Sequence, residues 1–174
     1  MTDEVSDPLG VAEGTVRLID SDERWPDLYR IEEARLRAAI GPMIVAIEHF
    51  GSTAIPGIKA KPILDILVGV ARFEDGPGLV EPLAALGYDY MGAEIVPMDH
   101  LFGLGQPRRH LLHAVEYGGY HWVRDLKFRD RLRADPALAA AYEEMKAELA
   151  ERFADQRAEY TAAKQAFIDS IADA

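Results

Sequence analysis

The residues best suited to chemistry lie in residues 49–70, which read HFGSTAIPGIKAKPILDILVGV. A Gly-Ser-Thr turn follows one strand-like run, and Asp65 lies inside the next. Backbone N–H groups and hydroxyls of such a turn can hold a phosphate group. A purely structural role also fits, because Ser52 or Thr53 can cap a short helix. The stretch therefore predicts either a phosphate-binding site or a tight corner.

Asp65 favours the first interpretation because its neighbours in the predicted strand are all apolar. A carboxylate seldom lies in such a run without a metal, a partner charge or hydrogen bonds. A structural ion pair with Lys59, Lys61 or an arginine explains it equally well. Side chains alternate along a strand, so residue 67 shares the face of Asp65. That residue is Leu67, and a divalent cation would need its other protein ligand from elsewhere.

Glu116, near the end of the strand-like run RRHLLHAVEY, is the best candidate for that second ligand. Mg²⁺ accepts one or two carboxylates and completes its shell with water and phosphate oxygens. An exposed position at a strand end is the alternative explanation for Glu116. The histidines do not repeat a compact zinc-binding spacing, which disfavours a transition-metal site.

The overall charge limits the class of ligand. Thirty acidic side chains oppose nineteen basic ones, a formal charge of -11, so no polynucleotide partner is expected. A few basic residues, among them Arg109, are local exceptions that can line an anion pocket. The chain has no cysteine, which excludes disulfides and thiolate chemistry. We expect a cytoplasmic protein without a membrane partner, because no apolar run has the length of a bilayer span.

Hydrophobic periodicity predicts one α+β domain over residues 16–174, preceded by a mobile acidic tail at residues 1–15. An amphipathic helix is predicted from residues 21–41, and two strands flank the Gly-Ser-Thr turn, either antiparallel or joined by one irregular helical turn. A short helix and two or three strands follow. Another strand spans residues 108–117, and helices run from residue 121 to the C-terminus.

Three stretches together resemble the GrpB family: EHFGSTAIPGIKAKPILDILVGV, RRHLLHAVEYGG and LKFRDRLRADPALAAAYEEMKAELAERFADQRAEYTAAKQAFI. That family resembles the nucleotidyltransferase superfold, in which a Gly-Ser turn and a D-x-D motif bind a nucleoside triphosphate with divalent metal. The resemblance implies a nucleotidyltransferase-like mixed β-sheet with an N-terminal helix and C-terminal helices packed on it. Gly51 and Ser52 match the turn, and Asp65 matches the first aspartate. Leu67 replaces the second aspartate, which puts two-metal transfer in doubt.

The resemblance implies binding of a nucleotide or another phosphorylated small molecule with Mg²⁺, and nucleotidyl transfer if the protein is an enzyme. Asp65 and Glu116 would be the catalytic and metal-binding residues. The phosphate contacts would come from Gly51, Ser52, Thr53, Lys61 and Arg109. The alternative is a non-catalytic module that acts through a protein partner, because the second aspartate is missing and the family also occurs joined to dephospho-CoA kinase.

Overall fold

A five-stranded mixed sheet forms the centre of the computed structural model, which describes residues 7–174. The strands are β1 Ala46–Phe50, β2 Leu64–Val70, β3 Asp89–Gly92, β4 His100–Leu104 and β5 His110–Glu116. Their order in the sheet is β1-β2-β5-β4-β3. Strands β2 and β5 are parallel, and the other neighbours are antiparallel. The predicted antiparallel pair around the Gly-Ser-Thr turn is thereby confirmed.

In the described part of the chain, five α-helices cover the sheet: α1 Trp25–Ile40, α2 Val80–Ala85, α3 Tyr120–Ala134, α4 Pro136–Arg152 and α5 Arg157–Ala172. Short 3-10 helices span Gly41–Met43, Ser52–Ala54 and Phe73–Leu79. Asp135 caps α4 by accepting from the backbone N–H groups of its first turn, and proline occupies the first helical position. The predicted α+β architecture, with an N-terminal helix and C-terminal helices on a mixed sheet, is confirmed.

The first face of the sheet carries the main core. Leu64, Ile66 and Val68 alternate along β2 and pack in one cluster with Trp25 and Leu36 of α1. Each of these side chains is almost fully buried. Burial of one such side chain contributes about 1.5–3 kcal/mol, so this face holds the domain together.

The second face lies under the C-terminal helices. Leu67 and Val115 pack against Trp122 at the start of α3. Further along α3, Arg129 Nη1 donates to the His49 carbonyl oxygen at 2.8 Å, and Arg133 Nε donates to that of Ala54 at 2.9 Å. These two arginines fix both ends of the turn that follows β1.

Some details differ from the sequence-based expectations. Residues 1–6 of the predicted tail lie outside the described residues, while Leu9 and Val11 are buried, because Val11 bridges to Arg108 and Leu9 joins the main core. Helix α1 begins at Trp25, and Ile31 on its apolar stripe is 62% exposed. None of the helices described in residues 7–174 has the length and apolar character needed to cross a membrane.

A buried polar cluster ties α1 to the sheet. The Tyr88 hydroxyl donates to Glu32 Oε1 at 2.8 Å and lies 3.3 Å from His110 Nδ1. Glu32 also accepts from Arg35 at 2.7 Å and is only 3% exposed. Burial lowers the pKa of His110, which keeps this ring neutral at pH 7.

We predict that Tyr88→Phe lowers the free energy of unfolding by about 1.5–3 kcal/mol, because Glu32 loses a buried donor to a charged acceptor. Urea denaturation at pH 7 measures this loss. The matched control is Tyr117→Phe, since Tyr117 is 48% exposed, and we expect a change within about 0.5 kcal/mol. Equal effects of the two substitutions would contradict the structural role of Tyr88.

Candidate functional site

The turn after β1 approaches Asp65 so closely that only glycine fits. Gly51 has φ of 71° and ψ of −173°, a region that residues other than glycine rarely occupy. A Cβ atom added there would lie 2.3 Å from Asp65 Oδ2. Phe50 pairs with Asp65 across the β1–β2 ladder, which brings the turn and the carboxylate together. The Gly51–Asp65 contact is thus a consequence of strand register.

Asp65 lines a small recess between the sheet and helix α5. The lining residues are Ser52, Lys61, Ile63, Asp65, Leu111, Tyr160 and Lys164, and we call this site the lysine recess. Lys61 Nζ lies 5.3 Å and Lys164 Nζ 5.6 Å from the centre of the Tyr160 ring. Two ammonium groups and a hydroxyl therefore face one carboxylate around an aromatic ring.

Helix α4 adds a second layer behind the recess. Tyr142 shares a hydrogen bond with Ser52, with 3.2 Å between their side-chain oxygens. Lys146 Nζ lies 4.8 Å from the centre of the Tyr142 ring and donates to the Lys59 carbonyl oxygen. Lys146 is 1% exposed, so its charge is withdrawn from water. This layer orients Ser52 and adds a third lysine to the cluster.

Burial and mutual repulsion perturb the lysines. Burial, assisted by the charges of Lys164 and Arg157, lowers the pKa of Lys61 to about 7, although Asp65 opposes the shift. Burial also lowers the pKa of Lys146 to about 7, with contributions from Lys164 and Lys61. A strongly perturbed pKa inside a recess is a recognised mark of a functional site. Lys164 differs from both, because Tyr142, Tyr160 and Asp65 outweigh burial and raise its pKa, so Lys164 is the lysine of this cluster that keeps its positive charge.

The Tyr160 hydroxyl, which belongs to this cluster, is a buried donor without a hydrogen-bond partner within the described residues. Tyr160 is fully buried, and burial raises the pKa of its phenol to about 12, so it remains a neutral donor at pH 7. Buried polar groups normally find partners, and an orphaned one calls for an explanation. A bound anion would supply an acceptor.

A histidine–aspartate pair lies on the other side of Asp65. His113 Nδ1 is 2.6 Å from Asp99 Oδ2, and His113 Nε2 is 4.0 Å from Asp65 Oδ1. Burial alone would lower the pKa of His113, but Asp99 and Asp65 outweigh it and raise the pKa to about 9. His113 is therefore an imidazolium at pH 7, and it supplies Asp65 with a positive neighbour.

The structure brings together four of the predicted site residues: Gly51, Ser52, Lys61 and Asp65. Thr53 lies inside the domain, where its hydroxyl is 2.9 Å from His49 Nε2. This contact makes Thr53 a structural residue of the turn.

Two other predicted residues lie outside the recess. Arg109 does not line the recess and pairs instead with Asp7 at 3.0 Å. Glu116 is exposed at the far end of β5, and its carboxylate accepts from the Phe73 backbone. Asp65 pairs with Leu111 in the parallel β2–β5 ladder. Glu116 is five residues beyond Leu111 on β5, so it lies about 17 Å from the Asp65 position along the strand.

These positions show whether Asp65 and Glu116 can hold Mg²⁺ together, as the resemblance implies. Asp65 and Glu116 are too far apart to share one ion, and Leu67 is a fully buried core residue. Within residues 7–174, no group of three or more His, Asp or Glu side chains is placed to hold a metal ion. The protein side chains described here therefore do not form the predicted two-carboxylate site.

Several recess residues escaped prediction from sequence. Tyr160 and Lys164 are four residues apart on α5, and so are Tyr142 and Lys146 on α4. That spacing places each pair on one helix face, a signal present in the sequence. The helical pattern indicated that α4 and α5 exist but not which of their faces meets the turn after β1.

Fold and site together define a single-sheet α+β protein with a buried basic recess beside a Gly-Ser turn. The sequence pattern of the family described as GrpB protein matches residues 15–174, and the chain belongs to this family. It is 38% identical to "Glutamate-rich protein GrpB" of Alkalihalophilus pseudofirmus, over 94% of this chain and 97% of that protein.

Solved and curated relatives extend this comparison. The crystal structure of the conserved protein GrpB from Enterococcus faecalis superposes with a TM-score of 0.82 at 30% identity, covering 90% of this chain and 95% of that one. A dephospho-CoA kinase of Mycobacterium tuberculosis is 38% identical over 81 residues, which are 45% of this chain and 20% of the kinase. The fold is thus that of a solved GrpB protein.

We predict that Gly51→Ala destabilises the protein by about 3 kcal/mol, because it adds a collision with Asp65 to backbone strain that itself costs about 1–3 kcal/mol. Gly57→Ala is the matched control, since Gly57 also has positive φ but no atom lies within 4 Å of an added Cβ. We expect it to cost only about 1 kcal/mol. Urea denaturation of both variants checks this, and equal losses would show that the contact with Asp65 is unimportant.

Proposed function

We propose that this GrpB-family chain is a cytoplasmic protein that binds a nucleotide or another phosphorylated small molecule by its phosphate group at the lysine recess. The observation that supports it most is the buried excess of positive charge around Asp65. The whole chain carries a formal charge of -11, so this local excess runs against its overall charge. A phosphate group is the common cellular ligand that matches several ammonium groups and neutral donors at once.

Charge balance explains why an anion would bind well. Lys61 and Lys164 compete for one carboxylate, Asp65, and their repulsion is part of what lowers the pKa of Lys61. A phosphate dianion would relieve this repulsion and favour the protonated lysine. Attraction between charges is stronger in a partly buried site than in water. The anion would therefore gain more from these lysines than from exposed ones.

The neutral groups of the recess would complete the phosphate site. Ser52 lines the recess and is oriented by its hydrogen bond with Tyr142. The Tyr160 hydroxyl lacks an acceptor in the described part of the chain and can donate to a phosphate oxygen. Arg157 adds long-range positive charge, because it lies close enough to interact with both Lys61 and Asp65. Each of these groups favours an anion over a cation.

Mg²⁺ binding and nucleotidyl transfer remain predictions that rest on the family resemblance. Asp65 is the one carboxylate among the residues that line the recess, so a magnesium ion arriving with a nucleotide would find a single carboxylate ligand there. Transfer chemistry with two aligned ions needs paired carboxylates. The proposal is therefore binding, and no catalytic step is assigned to these side chains.

A second candidate is a module that acts through a protein partner. Leu67 favours it, because the position of the second aspartate belongs to an apolar core cluster with Val115 and Trp122. The relative named dephospho-CoA kinase, in which similarity to this chain occupies a fifth of the length, also fits such a role. Co-purification from the source cell tests this candidate. A stoichiometric partner retained by Asp65→Asn would support it, and loss of the partner in that variant would count against it.

We predict that isothermal titration detects binding of ATP, pyrophosphate or inorganic phosphate by the wild-type protein at pH 7. Lys164→Met should weaken binding about tenfold or more, because a charge-assisted hydrogen bond to phosphate contributes about 1.5–3 kcal/mol. Lys127→Met is the matched control, since Lys127 is exposed on α3, and it should leave affinity unchanged. Each variant is first checked for an unchanged melting temperature.

Asp65→Asn separates anion binding from metal binding. Without Mg²⁺ the substitution should preserve or strengthen phosphate binding, because it removes the competing negative charge. A loss of affinity confined to Mg²⁺-containing buffer would identify Asp65 as a metal ligand. If the wild type binds none of the three anions, with or without Mg²⁺, the proposed function is wrong.

A further inference from the structure

We propose that the protein has a second binding site, which takes the ammonium group of a small amine with an apolar body. The site is a cleft between the end of β5, the start of α3 and the loop that joins β3 to β4. We call it the Glu116 cleft, and its lining residues are Met98, Val115, Glu116, Gly119, Tyr120 and His121. Because Glu116 lies about 17 Å from Asp65 along the strand, this site is separate from the lysine recess.

The volume of the Glu116 cleft limits the size of its ligand. The cleft measures about 180 Å³, whereas an apolar cavity of about 150 Å³ holds a benzene molecule. Pockets for drug-sized ligands measure about 300 Å³ or more. The cleft therefore has room for one ring or a short branched chain that carries an aminomethyl group, and it is too small for a whole nucleotide.

Apolar side chains favour a ligand with an apolar body. Val115 is buried, whereas Tyr120 and Met98, which line the same cleft, are 63% and 55% exposed. Large apolar side chains exposed together on a concave surface are typical of a binding site. A ligand that covers them removes apolar surface from water, and the thioether and the phenol ring both pack well against an aromatic ring.

Glu116 gives the cleft a negative charge that no protein cation balances. Its carboxylate accepts one hydrogen bond, from the Phe73 backbone at 3.4 Å, and no lysine, arginine or histidine pairs with it in the described part of the chain. Arg124 lies 5.5 Å from the centre of the Tyr120 ring, but it is paired with Asp125 at 2.7 Å. The unbalanced charge of the cleft is therefore negative, and it attracts a cation.

His121 and Tyr120 suit an ammonium group in particular. His121 Nε2 lies 2.7 Å from the Pro97 carbonyl oxygen, which can only accept, so Nε2 carries the hydrogen and Nδ1 of the neutral ring is an acceptor. An ammonium group has three donors, and Glu116 and His121 offer acceptors for them. The face of the Tyr120 ring also attracts a cation. An anion would meet acceptors and a carboxylate instead.

The backbone of Met98 supports a functional role for this cleft. Met98 has φ of 62°, and among the residues that the structure describes it is the one non-glycine residue with positive φ. Its side chain is more than half exposed, so packing in the core does not account for this conformation. Strained backbone of this kind occurs preferentially at ligand sites, where it positions a side chain.

Nuclear magnetic resonance of the full chain tests the inference with benzylamine, which is an ammonium ion at pH 7. We expect saturable shifts of the Met98 methyl signal, assigned with Met98→Leu, and of the Gly119 amide signal. Benzyl alcohol has the same ring without the charge, so it should bind about tenfold or more weakly, because the charge-assisted hydrogen bond to Glu116 is lost. Benzoate should cause no saturable shift.

Matched variants separate the charge of the cleft from its shape. Glu116→Gln should weaken benzylamine binding about tenfold or more and leave benzyl alcohol unaffected, whereas Tyr120→Leu should weaken both. Glu144→Gln is the control, since Glu144 is exposed on α4, and it should leave benzylamine binding unchanged. Equal affinity for benzylamine and benzyl alcohol, or full affinity in Glu116→Gln, would overturn the role of the ammonium group. Absence of saturable shifts at Met98 and Gly119 would overturn the site, whatever the outcome of phosphate titration at the lysine recess.

Discussion

The site depends on one constraint: more positive than negative side chains lie together in one small space. Lys61 and Lys164 face a single carboxylate, Asp65, in a recess that leaves all three side chains only partly exposed. The protein accommodates this arrangement by releasing protons. Because the pKa of Lys61 is lower in the folded than in the unfolded chain, the unfolded chain binds more protons between about pH 7 and 10. The free energy of unfolding contributed by Lys61 therefore rises with pH across that window.

The same geometry explains why, in the part of the chain that the structure describes, no pair of carboxylates lies beside the turn to hold a metal ion. Gly51 must lack a Cβ atom because the strand register brings Asp65 against the turn. Leu67 has instead become part of the core, and the imidazolium of His113 lies 4.0 Å from Asp65. Protein cations thus occupy the surroundings of a carboxylate that the resemblance assigns to a metal ion.

Sequence reasoning predicts β2 and α1 well because each has a strong local signal, whereas the patchy pattern between α2 and β5 predicts only two or three strands. The apolar run of β2 and the amphipathic pattern of α1 needed no tertiary information, and the Gly-Ser turn marked one wall of the recess. The other wall depends on long-range packing: Tyr160 and Lys164 are about a hundred residues from Lys61, and only the docking of α5 brings them together. Arg109 and Glu116 were chosen by residue type, and their actual partners, Asp7 and the Phe73 backbone, are set by tertiary contacts that no local pattern encodes.

The titration of Lys61 tests the central claim most directly. Lysine side chains labelled with ¹³C at Cε are followed by nuclear magnetic resonance from pH 5 to 11, with assignment by Lys61→Arg and with Lys127→Arg as control. The account predicts a midpoint for Lys61 near its lowered pKa of about 7, moving upward when inorganic phosphate is added, while Lys127 keeps an ordinary midpoint of about 10.4. A Lys61 midpoint at that ordinary value, unchanged by phosphate, would contradict the account.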